Sequence, residues 1–174
     1  MKTLLITGGA GFIGTNAVNY FASKNWKVIV LDNLSRQGSE DNLSWLESQN
    51  GYSIEFLQLD ICDSQAIEKV LSDNNIDALI HLAGQVAVTE SVLNPKKDFE
   101  VNAVGTFNIL EAMRKFSPET IMTWQLWLFG ITKIPSHHDF LPFVLIHRDV
   151  HAFNPNEKLA QSLFAICDLY FSIK

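Results

Sequence analysis

Only two cysteines occur in the 174 residues, Cys62 and Cys167, and nothing around them has metal-ligand spacing. A disulfide framework or a zinc ribbon is therefore not expected, and the thiols should stay free in a reducing cytoplasm. Basic residues are also few: 13 lysines and arginines stand against 19 aspartates and glutamates, a net charge of −6. With no basic stripe to displace counterions, nucleic acid is not an expected partner. No apolar run approaches the ~18 residues that span a bilayer, and Asp168 breaks the most apolar late stretch, Leu163 to Ile173. Gly8-Gly9 cuts short the signal-like start, Met1 to Ile6. Membrane insertion is not expected. What is present is a chain 47% hydrophobic, sufficient for one packed domain but short for an enzyme with a separate substrate domain.

The most informative segment is Thr7-Gly8-Gly9-Ala10-Gly11-Phe12-Ile13-Gly14, which follows the apolar run Leu4-Leu5-Ile6. It satisfies G-x-G-x-x-G through Gly9, Gly11 and Gly14, and the offset G-x-x-G-x-x-G through Gly8, Gly11 and Gly14. Asp32 closes the next apolar run, Val28 to Leu31, and lies 21 positions after Gly11. That spacing is the dinucleotide fingerprint. Glycines let backbone N–H groups approach a pyrophosphate, whose charge then sits at the positive end of a helix dipole. A carboxylate at residue 32 accepts hydrogen bonds from both adenosine ribose hydroxyls and repels a 2′-phosphate, so NAD is the expected cofactor rather than NADP. Arg36, four residues on, is either a softener of that preference or a solvated loop arginine.

The pattern predicts strands at Thr3–Ile6, Lys27–Leu31, Ile54–Leu59, Ala78–Leu82 and Thr120–Met122. Between them it predicts a helix from about Phe12 to Lys24 with Ile13, Ala17, Tyr20 and Phe21 inward. A short helix carrying Leu43, Trp45 and Leu46 follows the second strand. A third helix, capped by Asp63 or Ser64, presents Ile67, Val70 and Leu71. A longer one starts at Pro95, with Phe99, Val101, Leu110, Ala112 and Met113 on or near its buried side. Alternation of this kind implies a Rossmann-like, doubly wound parallel sheet of about five to six strands. Asp32, Asp60 and Leu82-Ala83-Gly84 fall at its strand ends, where ligands of such sheets collect.

After about Pro118 the composition shifts. The last 56 residues hold four of five histidines, half of the twelve phenylalanines and one of nine glycines. The expected division is a dinucleotide-binding domain over 1–118 and a divergent segment over 119–174 that completes or docks on it. His147 and His151 stand at i, i+4 with His137-His138-Asp139 upstream, but Arg148 occupies the place where H-E-x-x-H needs its glutamate. Ordinary surface or packing histidines are expected there, and no metal.

The motifs at 7–14, Asp32-Asn33-Leu34-Ser35-Arg36, Asp60-Ile61, His81-Leu82-Ala83-Gly84 and Asn102 followed by Gly105-Thr106 together resemble the NAD-dependent epimerase/dehydratase family. These are extended short-chain dehydrogenases acting on nucleotide sugars. The resemblance covers residues 1–118 and extends weakly to 130, with Leu128-Phe129-Gly130 laid on the family's V-Y-G-like segment and Thr123-Trp124-Gln125 where its hydroxyl residues belong. Asp41 to Leu46 and Gly84 to Thr89 resemble its CDP-hexose 2-epimerase branch, while UDP-sugar 4-epimerases and 4,6-dehydratases share the cofactor motifs.

The resemblance implies that Gly8, Gly11, Gly14 and the backbone of Phe12 and Ile13 meet the pyrophosphate. Asp32, Asn33, Ser35 and Arg36 surround the adenosine ribose, and Asp60 and Ile61 frame adenine. Leu82, Ala83 and Gln85 line the nicotinamide side, and Asn102 supports the adjoining strand and ribose. It further implies transient oxidation of a sugar carbon by tightly held NAD, a CDP-hexose as substrate and a homo-oligomer as a possible assembly.

The family's base is a tyrosine in Y-x-x-x-K, helped by a serine or threonine. Here Thr123 and the pair Tyr170 and Lys174 are the only candidates, because Gln125 stands where the hydroxyl belongs and Tyr20-Lys24 comes too early. The family's proteins are about twice this length by resemblance, so an active enzyme or fragment and a catalytically silent nucleotide-binding protein both remain open.

Overall fold

The computed structural model describes residues 1–124. Five parallel strands form one sheet: β1 (Thr3–Thr7), β2 (Lys27–Asp32), β3 (Ser53–Gln58), β4 (Ala78–His81) and β5 (Ile121–Trp124). Their spatial order is β3-β2-β1-β4-β5. The chain steps outward from β1 to β3, then returns to the other side of β1 for β4 and β5. The reversal falls between β1 and β4, and it opens a crevice at their carboxyl ends. Fold class and parallel topology follow the expectation from sequence.

Strand side chains alternate between two cores. Leu4, Ile6, Val28, Val30, Ala78 and Ile80 face one way and pack against Ala17, Val18, Phe21 and Leu46. These come from α1 (Phe12–Ala22) and α2 (Ser39–Glu47). Leu5, Ile29, Leu31 and Leu79 face the other way, against Ile67, Val70, Leu71, Ile109, Ala112 and Met113. That layer is α3 (Ser64–Asp73), together with the helix that leads into β5. Each fully buried aliphatic contributes about 1.5–3 kcal/mol, and Leu4, Leu5, Ile6 and Ile29 are at most 2% exposed. β1 is therefore the centre of both cores. Asp63 caps α3 by accepting from the Ala66 N–H at 3.1 Å.

Three expected features are corrected. The helix beginning at Pro95 is composite: α4 (Val88–Leu93) precedes α5 (Pro95–Phe99), a π-helical segment covers Glu100–Gly105, and α6 (Thr106–Phe116) completes it. Its buried side carries Asp98, Asn102, Thr106, Ile109, Ala112 and Met113, whereas Phe99 is 47% and Leu110 39% exposed. On the surface, too, lie Tyr20, whose ring sits below the Lys24 ammonium, and Trp45. Finally, β3 stops at Gln58, which leaves Asp60 in the loop rather than at the strand end. Among the described residues, no helix is long and apolar enough to cross a membrane.

Candidate functional site

The turn from β1 into α1 is built around two glycines. Gly8 has φ +70°, and a Cβ there would sit 2.6 Å from Ala83 N and 2.7 Å from the Leu82 carbonyl carbon. The turn therefore lies directly against the loop that leaves β4. At Gly14 a Cβ would come within 2.1 Å of the Gly8 carbonyl oxygen, so only glycine lets α1 start this close to the strand. Gly8 donates to the Leu31 carbonyl at 2.8 Å, and Gly11 donates to the Gly8 carbonyl at 3.1 Å.

Helical bonding begins when Thr15 donates to Gly11. No side chain caps the helix and its first turn holds no acidic residue. The opening N–H groups, from Phe12 to Gly14, thus have no helical carbonyl to meet. They form a set of donors at the positive end of the dipole.

Asp32 is the last residue of β2 and stands beside this cradle. Its Oδ2 accepts from Ala10 N at 3.1 Å and its Oδ1 from Leu34 N at 2.9 Å. Each oxygen keeps a second lone pair for a ligand donor, and two backbone bonds hold the carboxylate in place. Leu34 adopts φ +56°, a left-handed turn stabilised by that Oδ1 contact. Asn42, on α2, donates to the Ala10 carbonyl at 2.8 Å and braces the glycine turn from the far side. Ser35 and Arg36 lie exposed on the loop after Asp32, and the Asn33 side-chain oxygen receives the Ser35 N–H at 3.0 Å.

Asn33 and Asp60 meet directly, with Nδ2 donating to Oδ2 at 2.9 Å. The other Asp60 oxygen accepts from Cys62 N at 2.9 Å. Burial works to raise the Asp60 pKa, but hydrogen bonds from Cys62 and Asn33, helped by the nearby Lys97 cation, outweigh it and hold the carboxyl below its ordinary range. Ile61 turns inward, 4% exposed, and packs against the π-helical segment where Gly105 leaves it room. Its role in the structure is core packing, with only its backbone near the loop surface.

On the β4 side, Leu82, Ala83 and Gln85 follow the strand in a half-buried loop. Asn102 grips this loop from the π-helical segment: its Oδ1 accepts from Gln85 N at 2.8 Å and its Nδ2 donates to the Gln85 carbonyl at 2.9 Å. Asp98, 1% exposed, accepts from Ser91 Oγ at 2.7 Å and from Asn102 Nδ2 at 3.2 Å. The structure thus brings the glycine turn, Asp32, the Asn33–Asp60 pair and the Gln85–Asn102 pair to one edge of the sheet.

Thr123 lies on β5 in register with Ile80. Tyr170, Lys174 and the histidine cluster fall outside the described residues. Among those described, no group of histidine, cysteine and acidic residues could hold a metal.

Sequence reasoning did not single out Ala10, Asn42, Asp98 or Lys97 at this edge. Ala10 acts through its backbone N–H and carbonyl, which leaves no residue-type signal, and Asn42 acts through a side-chain amide 32 residues away from its partner. Asp98 resembles a surface charge in sequence because its neighbours Lys96, Lys97 and Glu100 are charged.

A parallel sheet that reverses beside a glycine cradle, with a carboxylate anchored at the tip of β2, defines a Rossmann-type nucleotide-binding domain. The chain belongs to the GDP-mannose 4,6 dehydratase family, whose model matches residues 5–125. It is 46% identical over 114 residues to CDP-paratose 2-epimerase of Salmonella typhi, covering 66% of this chain and 33% of that protein. UDP-glucose 4-epimerase of Bacillus subtilis is 38% identical over 119 residues, 68% of this chain and 35% of that one. The crystal structure of UDP-glucose 4-epimerase from Bifidobacterium longum, in complex with NAD+ and UDP, superposes with a TM-score of 0.64 at 35% identity, covering 70% of this chain and 36% of the other. The matched residues span about a third of the length of these two curated relatives.

Proposed function

We propose that residues 1–118 bind NAD at the crevice between β1 and β4, as the cofactor-holding part of a nucleotide-sugar epimerase. The observation that carries this reading is the anchored Asp32 carboxylate beside uncapped helix N–H groups. An adenosine ribose fits that carboxylate, since each oxygen has a lone pair in reserve. A pyrophosphate fits the N–H groups from Phe12 to Gly14, at a helix start that Gly8 and Gly14 let pack closely against the loops around it. Asn33, Ser35 and Arg36 would flank the ribose, and Asp60 with the Ile61 backbone would meet adenine. Leu82, Ala83 and Gln85 would face the nicotinamide. Bound NAD would supply reversible hydride acceptance from a sugar carbon.

Identity to CDP-paratose 2-epimerase favours a CDP-hexose as the sugar nucleotide. A UDP-sugar is the second reading, favoured by the 4-epimerase relatives. Residues 119–174 would complete or dock on the domain, and Thr123, Tyr170 and Lys174 would be its candidate acid–base residues. Incubation of the full chain with NAD and CDP- or UDP-hexoses tests the catalytic half. An epimerised CDP-sugar supports the enzyme reading. Tight NAD binding with no changed sugar, unaltered by Tyr170→Phe, supports a silent nucleotide-binding protein.

A further inference from the structure

His81, the last residue of β4, is 1% exposed, and one threonine hydroxyl flanks each ring nitrogen. Nδ1 meets Thr7 Oγ1 from the end of β1, and Nε2 meets Thr106 Oγ1 from the start of α6 at 3.0 Å. The outer partners of the two hydroxyls set the direction of every proton between them. Thr106 Oγ1 lies 2.7 Å from the Asn102 carbonyl, which only accepts, so the hydroxyl donates there and receives from Nε2–H. Thr7 Oγ1 lies 3.3 Å from Ala83 N, which only donates, so the hydroxyl receives there and keeps its proton for Nδ1, the acceptor of a neutral ring whose proton is on Nε2. Every group in the chain is satisfied by one arrangement: a neutral imidazole with its proton on Nε2.

The ends of this chain are the two anchors of the loop after β4. Thr7 holds Ala83, while Asn102, tied to Thr106 through its carbonyl, holds both the N–H and the carbonyl of Gln85. A single buried ring therefore links both ends of the segment Leu82–Gln85. The ring's hydrogen bonds, to Thr7 and Thr106, do not reach Asp32 or the Asn33–Asp60 pair, which are held by other bonds.

We propose that His81 is the positioning residue for the nicotinamide half of the site, acting through Thr7 and Thr106 on the Leu82–Gln85 loop. The proposal rests on the reading that this crevice takes NAD. It predicts that disturbing the chain splits the response of two ligands, because ADP engages the adenosine side alone and NAD engages both.

The test titrates the full chain and two substitutions, Thr106→Val and Thr106→Ser, with NAD and with ADP. Thr106→Val keeps the branched shape but removes the hydroxyl, leaving Nε2–H without its acceptor. NAD affinity is expected to fall about 10-fold or more with ADP affinity within about 2-fold, and Thr106→Ser is expected to restore both. Equal losses for both ligands, or no loss of NAD, overturn the proposal while leaving the cofactor reading intact. A wild-type chain that binds neither ligand overturns both. Independently of any variant, nitrogen NMR of the wild-type imidazole is expected to show a proton on Nε2 and a bare Nδ1 at neutral pH. The opposite tautomer, or a doubly protonated ring, also overturns the proposal.

Discussion

Asn33 donates to Asp60 across 2.9 Å and joins the loop after β2 to the loop after β3. Both loops lie on the side of the crevice proposed for adenosine, so the pair is expected to hold the width of that side before any ligand arrives. Asn33→Ala and Asp60→Asn are each expected to weaken ADP and NAD alike by about 3- to 10-fold, roughly 1 kcal/mol. The double substitution should cost no more than the larger single effect. Calorimetric titration reads this, and additive losses would mean that the two side chains act separately.

Cys62 is exposed, yet burial of its sulfur together with the Asp60 and Glu100 carboxylates pushes its pKa up to about 11. The thiolate is the reactive form, so alkylation at pH 8 is expected to run roughly 100-fold slower than for an unperturbed thiol. Asp60→Asn removes one of the charges responsible and should speed the reaction. Mass spectrometry of the Cys62 peptide after timed iodoacetamide treatment measures both rates.

Burial lowers the His81 pKa from 6.5 to about 4. Above pH 6.5 the ring is neutral in folded and unfolded chains and adds no pH dependence. Between pH 6.5 and 4 only the unfolded chain takes up the proton, so acid favours unfolding. The loss reaches on the order of 3 kcal/mol at the lower limit. Urea unfolding across this window should show the slope in the wild type and a clearly shallower one in His81→Gln.

Gly14→Ala would place its Cβ 2.1 Å from a backbone oxygen, and Gly8→Ala combines φ +70° with backbone collisions. Each should cost about 3 kcal/mol or more of stability. Gly38 has φ +86° but open space around it, so Gly38→Ala should cost only about 1 kcal/mol. Comparable losses at all three positions would argue against the close packing of α1 on the β1 turn.

The sheet was legible in the sequence because β1, β2 and β4 are buried on both faces and read as unbroken apolar runs. The glycine turn was legible because steric need leaves glycine as its only solution, and Asp32 because a strand end fixes its distance from that turn. The Pro95–Phe116 region was misread on its inner side for a specific reason. Asp98, Asn102 and Thr106 point inward, while Phe99, Phe107 and Leu110 remain exposed. A rule that places apolar residues inside has no means of finding a buried polar stripe. The π-helical segment also departs from the 3.6-residue period on which such readings depend. His81 falls in a sequence motif, but its partners Thr7 and Thr106 are 74 and 25 residues away, and only the fold brings them together.

The Asp32 carboxylate, held between Ala10 and Leu34, is expected to select and bind NAD. The most direct test is calorimetric titration of the wild type and Asp32→Ala with NAD and NADP. The wild type is expected to bind NAD more tightly than NADP, and Asp32→Ala to weaken NAD by about 10-fold or more, narrowing the preference. Weak and equal binding of both dinucleotides by both proteins would contradict it.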